Sequence, residues 1–139
     1  RTPFLSRYCM ETRVFTLEEA RAILPQVKQL MEHAQKARRE LIRMRPDLWP
    51  TLQKAATNGG SREAGEALFH FQDLERGIKG IMALGVLVKD VDMGLVDFTG
   101  TREGREVYLC WHYGEEEIAF WHEVNAGLAG RQPIDGLID

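Results

Sequence analysis

An α+β domain, an antiparallel two-helix hairpin followed by a small antiparallel β-sheet, is predicted by three observations. Apolar residues recur at helical spacing in two stretches before Gly85, a polar corner carrying Asn58-Gly59-Gly60 separates those stretches, and after Gly85 the apolar period becomes alternating. With 139 residues and 44% hydrophobic content, the chain can bury one core and is too short for two ordinary ones.

The first helix opens at Thr16, whose hydroxyl can accept from the amide of Glu19 while the Glu19 carboxylate reaches back. Pro25 removes a backbone donor about two turns in, which predicts a kink or a short lead-in helix. Val27, Leu30, Ala34, Ala37, Leu41 and Met44 then form an apolar seam, and Pro46 ends the run. Asp47 to Gly60, with Trp49 and Pro50, reads as a connector. From Ser61 a second helix carries Ala67, Phe71, Leu74, Ile78 and Ile81, with Gly85 placed for a left-handed cap. Gly77 and Gly80 weaken this helix, so they point to a close backbone approach.

Strand signals follow at Val86 and Val88, Leu95 and Val96, Val107 to Trp111, and Ile118 with Phe120. A two-residue turn at Gly114-Glu115 would set Trp111 opposite Ile118, Leu109 opposite Phe120 and Val107 opposite His122. On the other face the same register stacks Tyr108 on Trp121 and Cys110 on Ala119. The chain is then expected to leave the sheet through Gly127 and Gly130. The domain is therefore assigned to 15–139, with the hairpin at 16–84 and the sheet and C-terminal loop at 85–139. Residues 1–14 are read as a flexible extension, since Met10 precedes the first structural signal.

A charged fraction of 28% and a net charge of −3 give no overall pull toward nucleic acid or anionic membrane. No apolar run approaches the roughly 18–20 residues that span a bilayer, and the opening RTPFLSRYC lacks a secretory core, so a cytoplasmic location is expected. Cys9 and Cys110 are the two cysteines, which argues for reduced thiols over a disulfide framework.

The stretches FTLEEARAILP (Phe15 to Pro25), GVLVKDVDMGLVDF (Gly85 to Phe98), GREVYLCW and IAFWHEVNAGLAGRQPI (up to Ile134) together resemble the bacterial family known as domain of unknown function 2203. The resemblance implies a bacterial, cytosolic protein with the helical hairpin and sheet described above, and no catalytic assignment. At His112 the chain departs from the basic or variable residue associated with that place, which takes His112 out of any family-wide role.

Five residues are the metal candidates: Asp90, Asp92 and Asp97 around the Met93-Gly94 turn, with His122 and Glu123. Against them stands the plainer reading of turn caps, ion pairs and a structural histidine bonded to one of the strand aspartates. The assumed register sends His122 and Cys110 to opposite faces, which disfavours a zinc site of Cys110, His112 and His122. Gly130 and Arg131 are the anion-binding candidates, although tight-loop glycines and an Arg131–glutamate pair explain AGLAGRQPI as well. Lys36, Arg38, Arg39, Arg43 and Arg45 concentrate positive charge where the helix dipole favours it.

No motif names a reaction, and the balance leans away from an enzyme. The expected function is an interaction or assembly module that self-associates as a homodimer through Leu30, Leu41, Phe71, Leu74 and Ile78, with room for a further protein partner and no cofactor. The alternative is a divalent-metal protein or metal-dependent hydrolase holding magnesium, manganese or zinc at the acidic turn and His122. A third reading is phosphate or RNA binding through the basic end of the first helix, which the acidic chain disfavours.

Overall fold

The computed structural model describes residues 13–44 and 62–139. The expected connector from Asp47 to Gly60, Arg45, and residues 1–12 of the expected extension lie outside them. Helix α1 (Leu17–Arg43) and helix α2 (Arg62–Ala83) form the hairpin, and five strands follow: β1 (Leu87–Asp90), β2 (Leu95–Arg102), β3 (Arg105–His112), β4 (Phe120–Glu123) and β5 (Gln132–Pro133). The strands pair antiparallel in the order β1-β2-β3-β4-β5, so the sheet is a meander.

The reciprocal cap at the start of α1 is present: the Glu19 amide donates to the Thr16 hydroxyl at 3.1 Å, and the Thr16 amide donates to the Glu19 carboxylate at 2.9 Å. Pro25 lies inside one continuous helix, without the separate lead-in helix that its position suggested. Arg13 and Val14 belong to the fold, because Val14 bridges to Thr99 and the Phe15 amide donates to the Thr99 carbonyl at 2.7 Å.

α1 turns Ala20, Leu24, Val27 and Met31 onto one sheet face, where they meet Val96, Phe98, Val107, Leu109, Trp111 and Trp121. Its neighbouring stripe, Ala34, Ala37 and Leu41, is also buried, with Ala34 against Gly77 of α2. The helices approach closely because two α2 glycines have no side chain to hold them apart. A Cβ on Gly77 would lie 2.9 Å from both the Ala34 Cβ and the Leu30 carbonyl oxygen, whereas one on Gly80 would meet the Leu30 Cδ2 at 2.8 Å. Backbone cannot give way there and a rotatable leucine end can. Gly77→Ala is therefore expected to cost about 1–3 kcal/mol. Gly80→Ala should stay within about 1 kcal/mol of the parent, because the helix-propensity gain offsets a repacked Leu30. Urea denaturation of the two variants checks this, and equal losses would contradict it.

Gly85 closes α2 at φ +88°, with its amide on the Met82 carbonyl at 2.9 Å. β5 was not expected from the sequence: beyond Gly127, at φ +70°, a 3-10 turn (Leu128–Gly130) brings Gln132 and Pro133 back beside Trp121 and Phe120. A proline is compatible with this place because the strand lies at the sheet's edge.

Candidate functional site

The β3–β4 register decides which side chains meet. The structure pairs Val107 with Glu123, Tyr108 with His122, Leu109 with Trp121 and Cys110 with Phe120, one residue away from the register of a two-residue turn. The connection is longer than that turn. β3 ends at His112 and β4 begins only at Phe120. Between them the Trp111 indole donates to the Glu115 carbonyl at 2.9 Å, and the His112 amide donates to the Glu115 carboxylate at 2.9 Å, so Glu115 folds into the loop instead of continuing the ladder. Because side chains alternate along a strand, a slip of one residue exchanges the faces of all of β4. Trp121 turns into the core, and His122 turns to the face shared by Cys110 and Tyr108.

On that face Asp97 stands opposite Cys110, and Thr99 opposite Tyr108. Asp97, Cys110 and His122 converge, each offering one ligating atom within 4.8 Å of the others. His122 Nε2 lies 3.1 Å from Asp97 Oδ1, and His122 Nδ1 lies 2.8 Å from the Glu123 carbonyl. A carbonyl oxygen can only accept, so Nδ1 carries a hydrogen, and a further proton must lie between Nε2 and the carboxylate. The three residues are 2%, 0% and 3% exposed, respectively. Side chains lie over this face: the Tyr108 ring sits edge-on to His122, Lys89 Nζ lies over Tyr108, and the Arg131 guanidinium lies 4.2 Å above the Phe120 ring.

Burial, reinforced by the Asp97 carboxylate, pushes the Cys110 thiol up from 9.0 to about 12, and the nearby Arg131 opposes that rise only in part. Such a thiol is protonated at neutral pH. It is not poised as a nucleophile, which requires a lowered thiol pKa. The His122 ring does not act as its base either, because both ring nitrogens are engaged elsewhere.

Of the metal candidates read from sequence, the structure brings Asp97 and His122 together and sends the other three elsewhere. Asp90 accepts from the Met93 amide at 3.3 Å in the β1–β2 turn, and the exposed Asp92 pairs with Arg38 at 2.9 Å. Glu123 grips Arg105 at 2.7 Å, and this hydrogen bond holds its carboxyl below the usual range. Cys110 takes their place. The sequence reading set it aside because the assumed register put it on the face opposite His122, and the one-residue correction is what joins them. The signal that could have found it is Glu115, whose side chain can bond the strand backbone and so argues against a tight turn.

Arg131 pairs with Glu115 at 2.7 Å and also donates to the Cys110 carbonyl at 3.3 Å, while Gly130 shapes the loop against Ala126. Among the residues assigned to self-association, Leu41 is buried, Leu30 lies against Gly80, and Leu74 and Ile78 are half-buried. Phe71 is exposed. On the basic stretch, Arg38 and Arg43 are tied to Asp92 and Glu40. No described helix is long and apolar enough to cross a membrane.

Comparison with the curated proteins returned no match, and neither did comparison with the solved structures. The family model of the uncharacterized conserved proteins DUF2203 matches residues 13–134, spanning both helices and all five strands, and the chain belongs to that family.

Proposed function

We propose that this domain binds one divalent metal ion of the zinc class through Cys110 Sγ, His122 Nε2 and an Asp97 carboxylate oxygen. The observation that carries the reading is the convergence of these three buried ligand types on one sheet face. A sulfur ligand selects against magnesium and calcium, which take oxygen, and a Cys, His and Asp set suits zinc. His122 is already oriented for the task. Its Nδ1–H is fixed on the Glu123 carbonyl, the partner that metal-binding histidines use to hold the ring and free the other nitrogen.

Charge favours the same reading. A thiolate and a carboxylate neutralise a divalent cation, so the loaded centre carries no net charge into a buried place, where an unpaired charge is costly. The opposing account is a purely structural hydrogen-bonded cluster. The helical face offered for self-association does not compete strongly, because most of its apolar residues already pack within the chain.

Elemental analysis of protein grown with zinc and purified without chelator tests the proposal. About one metal per chain is expected, lost in Cys110→Ala and in His122→Ala and retained in Asp92→Asn and Glu123→Gln, whose carboxylates lie elsewhere. Metal-free wild-type protein, or a metal content that survives Cys110→Ala, would sink it.

A further inference from the structure

Between α1 and the loop that follows β3 lies a pocket of about 310 Å³, and its geometry points to a binding site for a small aliphatic ammonium ion, independent of the metal centre. That volume lies at the lower end of those that small-molecule sites occupy. Lys28 and Glu32, one turn apart on α1, form one wall, and Tyr113, Glu115 and Glu116 form the other. Both walls are fixed before any ligand arrives. Lys28 Nζ donates to the Glu116 carbonyl at 2.6 Å, which ties helix to loop, and the buried Trp111 indole holds the Glu115 carbonyl at 2.9 Å. Tyr113 is anchored through its backbone and its ring. Its amide donates to the Gly94 carbonyl at 3.0 Å, and the ring stands edge-on to Trp111 with centroids 6.2 Å apart. Gly94 permits this approach, since a Cβ there would lie 2.5 Å from the Tyr113 Cβ. Walls already ordered lose little freedom on binding, which favours even a small ligand.

Charge and aromatic surface select the ligand. The Glu32 and Glu116 carboxylates are exposed and have no hydrogen-bond or ion-pair partner among the described residues, whereas the Glu115 carboxylate is taken by Arg131 at 2.7 Å. Lys28 is the one cation on these walls, and its ammonium is engaged by the Glu116 carbonyl. Two unpaired carboxylates against one ammonium leave the pocket net negative, so it favours a cation. Tyr113 is 39% exposed, and no described Lys or Arg lies over its ring, whereas Phe15, Tyr108, Phe120 and Trp121 each carry one. Carboxylates accept strongly from a charged N–H, and a tyrosine ring attracts a cation while packing against its carbon chain. An alkylammonium ion satisfies both demands, with its nitrogen paired to a carboxylate and its chain against Tyr113.

Titrating n-butylamine at neutral pH and low salt into the full chain, followed by backbone amide NMR shifts, tests the inference. Saturable shifts are expected at the amides of Lys28 to Glu32 and of Tyr113 to Glu116, with a midpoint on the order of millimolar. Uncharged n-butanol, of the same chain length, should produce none. Glu32→Gln and Glu116→Gln should each raise the midpoint roughly threefold or more, and Glu106→Gln, an exposed carboxylate elsewhere, should leave it unchanged. All three changes are isosteric and exposed, so each variant folds as the parent does. Absence of saturable shifts below about 50 mM amine, an equal response to n-butanol, or a midpoint that neither Glu32→Gln nor Glu116→Gln raises would overturn the inference. The metal centre stands or falls separately, on its own metal content.

Discussion

His122→Leu is expected to cost the metal-free fold about 1–3 kcal/mol, the penalty typical of leaving a buried hydrogen-bonding group without its partner. The side chains of His122 and Asp97 are only 4% and 3% exposed, so water cannot replace the lost bond. The variant deprives the buried Asp97 carboxylate of its His122 partner at 3.1 Å. Replacing both partners behaves differently. In His122→Leu combined with Asp97→Leu no polar group is left without its partner, and replacing both partners of a buried hydrogen bond by apolar groups can be nearly neutral. The double variant should therefore be more stable than the sum of the two single losses predicts, by at least about 1 kcal/mol. Chemical denaturation of the four proteins in chelator closes this cycle. Additive losses would mean that the two side chains do not depend on each other.

The metal-free protein should lose stability steeply above about pH 9, and Cys110 should account for a separable part of that loss. Folding raises the thiol from 9.0 to about 12, chiefly through burial and then through the Asp97 carboxylate. Below the unfolded value the thiol is protonated in both states and the full contribution is present. Between the two values the unfolded chain releases its proton and the folded one keeps it, so stability falls as pH rises, by up to about 1.4 kcal/mol per pH unit. Comparing wild type with Cys110→Ala across pH 8–11 isolates this contribution from the lysines and tyrosines that titrate in the same range. The difference in stability between the two should shrink progressively above pH 9. Parallel pH profiles would show that Cys110 is no more protected when folded than when unfolded.

Much of the architecture is legible in the sequence because it depends on local regularities. The Thr16 and Glu19 pair marks the start of α1, the glycines at 77 and 80 mark the helix crossing, and Gly85 marks the end of α2, each through the conformation or volume of one or two residues. The change of apolar period after Gly85 likewise announces the sheet. The candidate site was legible only in part. Asp97 and His122 stood out by type. Their company depended on a register that a short turn motif misplaced by one residue.

Local pattern therefore determined the two helices, the alternating strands and the residue types from which a metal centre could be built. Tertiary structure decided which of those types meet. A strand's two faces differ by a single step along the chain, and the step between β3 and β4 is set by the Glu115 side chain and carbonyl, which bond back to His112 and Trp111. The return of the chain as β5 likewise depends on the loop beyond Gly127, and with it comes Arg131 beside Cys110. Both choices rest on particular hydrogen bonds, within the β3–β4 loop for the step and between Arg131 and Cys110 for the return, so no apolar period records them; the step is what places Asp97, Cys110 and His122 on one face.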